Sequence, residues 1–388
     1  MKTHFKTLIL SLAITGFITC NANNKKPYTY LVNANETKLQ PHSNKQHIKV
    51  ALLLDTSNSM DGLIDQAKAQ LWDIVNELSY AKCRNEKPNL KIALYEYGND
   101  RLNGDEGYIR QVLPFSDDLD DISKELFSLT TNGGNEYCGQ VIQTSLNQLN
   151  WGNNPDDLKL IFIAGNEPFT QGSINYKDAA VNANEKDVTI NTIFCGNYNQ
   201  GISTFWKDGA KLTNGDYMAI NHNHKTVHMA SPYDDKILIL NQQLNKTYIG
   251  YGTRGKAKVA EQAMQDTNAI TYGNANAVKR SVSKSSHFYK NASWDLVDAV
   301  ENDEVVINEL EEEALPNELK GKSEAEIKAY VTKKKIEREN IQRQIKELNM
   351  KRTKYISENT KTKSTNSLEN AMTKAIKEQA KKKKYTWD

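Results

Sequence analysis

Asp55, Ser57 and Ser59 are the residues of this chain best spaced to act together. They alternate at the end of IKVALLLDTSNS (Ile48 to Ser59), so an extended or looping backbone turns three side-chain oxygens toward one point. Hard oxygen donors of this kind suit magnesium, with manganese or calcium as alternatives. A second reading of the same residues is a helix cap, in which Ser59 accepts amide hydrogen bonds from a first helical turn. No nucleophile with an assignable histidine base and orienting acid emerges elsewhere, so the expectation is a protein that is not an enzyme. His222, His224 and His228 invite a zinc site, but no Cys or carboxylate completes a ligand spacing. Gly250 to Lys256 has the spacing of a phosphate-binding loop, yet Ala257 stands where the magnesium-binding Ser or Thr belongs. The plainer reading there is a turn into a helix, with no nucleotide bound.

The elements that must position the Asp55 turn are legible around it. Ile48 to Leu54 is apolar apart from Lys49, which fits a central parallel strand covered on both faces. Leu63, Ala67, Leu71, Ile74 and Leu78 follow at helical spacing, so the turn joins a strand to a helix at the top of a sheet. Further strands are expected at Leu90 to Tyr95, at Gly107 to Leu113 as an edge ended by Pro114, at Leu158 to Ala164 and at Val188 to Phe194. Helices are expected over Asp117 to Leu129 and from Val141 to Leu149. Tyr217 to Ile220 and Thr226 to Ala230 read as a hairpin, and Leu244 to Gly252 as a last extended segment.

The D-x-S-x-S turn, with its flanking strand and helix, resembles the metal-ion-dependent adhesion site of von Willebrand factor A domains. The resemblance covers about residues 47 to 250 and implies an α/β, doubly wound, mostly parallel central sheet flanked by helices. It also implies two further ligand loops. In the family one loop supplies a Thr after paired glycines; here Asn135 and Glu136 follow Gly133-Gly134. The other carries an Asp at the end of the strand beside the first; here Gly165 stands there, followed by Asn166 and Glu167. Oxygens of these four residues are candidates to complete the site, and an acidic group of a protein partner would fill the remaining position. Cys138 begins a helix and Cys195 ends a strand, both at the end where the family's loops gather, so a disulfide between them is one expectation for an oxidising compartment. Buried free thiols are the other.

At 388 residues with a net charge of only +2, the chain can bury a sizeable core and offers no global basic field for nucleic acid. Lys2 and Lys6 precede an apolar stretch from Leu8 to Ile18 and then Cys20, the pattern of an export signal similar to that of bacterial lipoproteins. The expected organisation is a signal peptide over residues 1–20 with Cys20 lipidated, or alternatively cleavage after Ala22 with no anchor, and a flexible linker over 21–46. The A-like domain over 47–250, a helical extension over 251–356 and a basic, mobile tail over 357–388, with at most a short helix around Leu368 to Ala380, complete it. Ser323 and Glu326 form a capping box for a long helix, whose apolar seam is interrupted by Lys334, Arg338 and Arg352. The functional expectation is an exported, membrane-anchored binding protein of the cell envelope. The alternative is a structural or assembly protein with a degenerate metal site, whose helical tail makes the contacts.

Overall fold

The structure, a computed structural model, describes residues 45–221, 229–359 and 368–387. The expected signal segment, Cys20, nearly all of the linker, and His222, His224 and His228 lie outside the described residues. β1 (His47–Asp55) leads into α1 (Asp61–Leu78), β2 (Ala81–Cys83), β3 (Asn89–Tyr97), β4 (Ile109–Ser116), α2 (Leu119–Ser128) and α3 (Cys138–Gln148). Then come β5 (Leu158–Gly165), α4 (Tyr176–Glu185), β6 (Thr189–Cys195), α5 (Tyr198–Ser203), α6 (Trp206–Lys211) and β7 (Tyr217–Ile220). A helical stretch is next, with α7 (Asp234–Asn245), α8 (Gly252–Thr271), α9 (Asn274–Lys284), α10 (Leu296–Glu301) and α11 (Glu324–Asn359). Last come α12 (Leu368–Lys382) and β8 (Tyr385–Trp387).

The main sheet runs in the order β4-β3-β1-β5-β6-β7, parallel except for β4. β1 is central because it can be buried on both sides. Ile48, Val50, Leu52 and Leu54 face one core with α1, α2 and α12, while Ala51 and Leu53 face the other with α3, α4 and α6. Lys49, the polar exception, is neutralised by Asp157 at 3.5 Å and donates to the Trp151 carbonyl at 2.8 Å. β4 is an edge strand that runs past Pro114 to Ser116, since an edge tolerates the lost N–H.

Two expectations are corrected. The tail from residue 357 is not a mobile appendage over 368–387: Leu368, Met372, Ala375, Ile376 and Ala380 are buried in the first core against α1, and β8 pairs antiparallel with β2. Its lysines line the outer face of a helix whose inner face is apolar. The A fold is therefore discontinuous, built from 45–221 and 368–387, with the helical unit α7 to α11 inserted between β7 and α12. The long α11 continues to Asn359, and its seam interruptions are structural: Arg338 and Arg352 are buried and paired with acids.

Secondly, Leu244 to Gly252 is not a strand. α7 runs to Asn245, and beyond it Gly250 makes only an isolated bridge to Asp295. Gly250 and Gly255 pack backbone to backbone there as α8 begins, a Cβ on Gly255 coming within 2.6 Å of the Gly250 carbonyl carbon. Tyr217–Ile220 pairs in parallel with β6 as the last strand of the main sheet. Most of the expected partner strand lies outside the described residues.

The helical unit joins the A fold through charges. Arg280 of α9 meets Asp120 at 2.8 Å and Asp266 at 2.6 Å, with its guanidinium 4.9 Å above the Trp72 ring. Lys258 of α8 meets Asp118 and Asp121 at 2.8 and 2.6 Å.

Candidate functional site

β1 delivers Asp55, fully buried, to the carboxyl edge of the sheet. There Thr56 N–H donates to the Tyr97 carbonyl at 2.9 Å, and Ser57 N–H donates to Asp55 Oδ1 at 2.7 Å, closing a tight turn on the carboxylate itself. Ser57 and Ser59 hydroxyls lie 3.3 Å apart. Neither acts as a helix cap: the short 3-10 turn Asn58–Met60 and α1 both begin without a side-chain cap. Ser59 instead accepts from Asn166 Nδ2 at 3.2 Å.

The loop before α3 is stitched onto this turn. Asn132 N–H donates to the Thr56 carbonyl at 2.9 Å, Asp100 N–H to the Gly133 carbonyl at 2.5 Å, and Asn99 Nδ2 to the Thr130 carbonyl at 3.0 Å. Gly98, at φ +79°, is where two side chains converge: a Cβ there would sit 2.8 Å from Glu136 Cγ and 2.9 Å from Asp55 Oδ1. Glu136 is buried, and its carboxyl lies within hydrogen-bonding reach of Asp55 and Ser57. Burial, then the Glu136 charge, pushes the Asp55 carboxyl well above the usual range; burial also raises Glu136, and the nearby Glu167 charge adds to it. Two carboxyls in contact, with no cationic side chain beside them among the described residues, must share a proton or take up a cation.

At the end of β5, Gly165 is required by its neighbours: a Cβ would meet Tyr97 Oη at 2.5 Å and Asp55 Oδ2 at 3.1 Å. The Tyr97 hydroxyl, donating to the Ala164 carbonyl at 3.0 Å, fills the space that an Asp side chain would need. Asp55 Oδ2 and Asn166 Oδ1 are both buried and have no hydrogen-bond partner among the described residues. Tyr97 and Gly98 were not anticipated from sequence, although a Gly ending a buried strand was the available signal.

The structure thus brings together Asp55, Ser57, Ser59, Glu136 and Asn166. Asn135 is exposed on the loop, and Glu167 enters through its backbone, which donates to Glu136 Oε2 at 3.3 Å while its side chain is exposed. No group of three or more His, Cys, Asp or Glu that could hold a metal exists among the described residues, so a cation here would rest on two carboxylates with neutral oxygens. Hydroxyl, amide and carboxylate oxygens with two orphaned acceptors fit a small hard cation.

The expected disulfide is corrected. Cys138 and Cys195 are free and buried, as is Cys83. Cys138 packs in the core on the α3 side and Cys195 in the core on the α1 side, so the sheet stands between them. Burial pushes both thiols well above their ordinary range, which leaves them inert.

The family profile described as von Willebrand factor type A domain matches residues 49–204. Among solved structures, the conserved hypothetical protein BatB from Bacteroides thetaiotaomicron is similar at 14% identity, over 57% of this chain and 99% of that one, with a TM-score of 0.34. The VWA domain of SpRpn10 is similar at 17% identity, over 45% and 87%, with a TM-score of 0.34. An aerotolerance-related membrane protein from Bacteroides fragilis NCTC 9343 is similar at 16% identity, over 45% and 93%, with a TM-score of 0.32. No curated protein matches. These structural likenesses are distant, and the assignment rests on the family profile together with the sheet order and the turn at Asp55. Residues 49–204 thus carry a von Willebrand factor type A domain, and α12, from the far side of a helical insertion, closes its sheet.

Proposed function

We propose that the protein is a binding module, not an enzyme, and that Asp55, Ser57, Ser59 and Asn166, with Glu136 beside them, hold a divalent cation, magnesium first. The observation that carries this is the pair of buried, unpartnered acceptors, Asp55 Oδ2 and Asn166 Oδ1, next to two carboxyls that have no cationic side chain among the described residues. Bound there, the cation would supply positive charge that an acidic group on a protein partner can complete. Asn135 and Glu167, on the rim, would face that partner.

The export reading belongs to the same proposal: Lys2, Lys6, the apolar segment and Cys20 address the chain to the cell envelope, with a lipid anchor at Cys20. Among the described residues no helix is long and apolar enough to cross a membrane. Intact mass of the mature chain tests the anchor, and a chain beginning beyond Cys20 without lipid refutes it.

Titration calorimetry with magnesium and manganese tests the cation. Wild type should bind, Asp55→Ala should lose binding with its fold retained, and Ser57→Ala and Ser59→Ala should weaken it less. Equal binding by wild type and Asp55→Ala removes the site from this turn. One observation favours the second reading, a structural or assembly protein with a degenerate site: Gly165 replaces the family's Asp, and the Asp55–Glu136 pair can satisfy itself with a shared proton. No binding of either metal by wild type near neutral pH would establish it.

A further inference from the structure

Next to the candidate cation loops the surface changes character. Tyr198 and Ile202 lie one helical turn apart on α5, and Phe205 comes just after its last turn; their exposures are 49%, 39% and 47%. Phe205 also sits at φ +69°, in the left-handed region, just past a helix end where glycine is the usual occupant. Its neighbour Trp206 is fully buried, so the chain keeps a strained aromatic in water beside one that it packs away.

This ridge is held rigidly to the carboxyl pair. Gly201 lets α5 press on Phe194, a Cβ there reaching within 2.7 Å of the ring. Phe169 N–H donates to the Thr204 carbonyl at 2.9 Å, Trp206 Nε1 to the Glu167 carbonyl at 2.8 Å, and Glu167 N–H to Glu136 Oε2. One hydrogen-bonded path therefore runs from Glu136 to the residue after Phe205. From Cys195 to Trp206 the sequence carries no charged residue, while Asn199 and Gln200 stand exposed beside the ridge. Uncharged amide side chains suit a peptide backbone; anionic lipid headgroups would call for a cluster of lysines or arginines, where the next turn brings only the exposed Lys207 together with Asp208.

We propose that Tyr198, Ile202 and Phe205 are the apolar half of the partner site, taking a large aliphatic or aromatic side chain from a polypeptide segment whose nearby carboxylate goes to the cation. This rests on the cation reading above and adds what selects among acidic partners. Continuity with the cation loops is the argument for a single occupant spanning both.

The test uses fluorescein-labelled synthetic peptides, each with one Asp and, a few residues away, Phe, Leu or Ser, titrated in magnesium by fluorescence polarisation alongside magnesium calorimetry. Wild type should prefer the Phe or Leu peptides over the Ser peptide by about tenfold or more, the return on burying one large side chain. Phe205→Asn, which suits the left-handed backbone, and Ile202→Ser should each bring that preference toward unity while magnesium affinity stays unchanged. Equal affinity of wild type for all peptides, with magnesium bound, overturns the ridge and leaves the cation site standing. Absence of magnesium binding by wild type overturns the cation reading, and the ridge proposal with it. Loss of self-association or of binding to anionic phospholipid vesicles in Phe205→Asn, with no change in peptide preference, assigns the ridge to a second copy or a membrane and overturns the proposal.

Discussion

Two groups of buried carboxylates divide this molecule. Where the helical unit meets the A fold, and within that unit, the acids have bases: Asp120 and Asp266 meet Arg280, Asp118 and Asp121 meet Lys258, Asp295 and Asp298 meet Arg338, and Asp234 meets Arg352. Arg280 and Lys284 together hold the Asp266 carboxyl well below the usual range against its burial. At the carboxyl edge of the sheet, Asp55 and Glu136 have each other and a few amides. Asp298 lies between these cases: burial and the neighbouring Asp295 raise it to about 7 even with Arg338 in contact. Charge balanced within the chain reads as architecture, since removing one partner leaves an uncompensated buried ion. Charge left unbalanced where buried acceptors stay unpartnered reads as a place for something from outside.

The largest expected effect breaks the comparison on the side of architecture. A chain ended after Asn359 loses α12 and β8, exposes the α1 face of the sheet, and should fail to give a cooperative urea transition. Within α12, Ile376→Ala should cost about 2–5 kcal/mol, read from the same transition. Next, Arg280→Ala should cost about 3–5 kcal/mol because Asp120 loses its cation and Asp266 is left with Lys284 alone. Magnesium affinity measured on the folded fraction should stay near wild type. A loss below about 1 kcal/mol would show that these pairs do not hold the two parts of the fold together.

The Asp55–Glu136 pair and Asp266 should also respond to pH with opposite sign. In protein freed of divalent cation, Asp55 and Glu136 are raised above their unfolded values, so the folded state holds extra protons as pH climbs from about 4, and stability from this pair falls with rising pH. Asp266 is lowered, so its contribution is complete above the unfolded carboxylate range and is lost as pH falls below it. Urea midpoints of wild type minus Asp55→Asn should decline as pH rises without cation, and the decline should vanish or reverse in magnesium, which binds the deprotonated carboxylates. A difference that is flat in pH in both conditions counts against the shared-proton pair. The smallest effect sharpens the site: Gly165→Ala should cost about 1–3 kcal/mol by crowding Tyr97 Oη, and adding Tyr97→Phe should recover part of it in a double-mutant cycle.

Much of the A fold was readable because its signals are local. The apolar run of β1, the helical spacing of α1 and the apolar β5 each declare themselves within a dozen residues, and the Asp55 turn sits where they meet. The ligand loops were harder. Glu136 reaches Asp55 only because Gly98, just past the end of β3, leaves room beside it, a contact set by sheet order rather than by spacing. Asn135, adjacent in sequence, points elsewhere. The tail was misread for a related reason. Leu368, Met372, Ala375 and Ile376 form an apolar stripe, but a lysine-rich helix with no visible partner looks solvated until the open face of a distant sheet is supplied. Arg338 and Arg352 looked like faults in a coiled-coil seam because their acids lie in α10 and at the start of α7, outside any heptad.

The discontinuity of the A fold bears on the order in which the molecule can be made. α12 covers a sheet whose last strand in the main sheet, β7, leaves the ribosome long before it, with the whole helical unit synthesised in between. Until Leu368 to Ala380 arrive, the apolar α1 side of β5 and β6 has no cover, and the closing contacts are among the longest in sequence that the chain makes. The nascent A fold therefore waits, exposed and dependent on whatever holds it, until the whole helical unit has been translated.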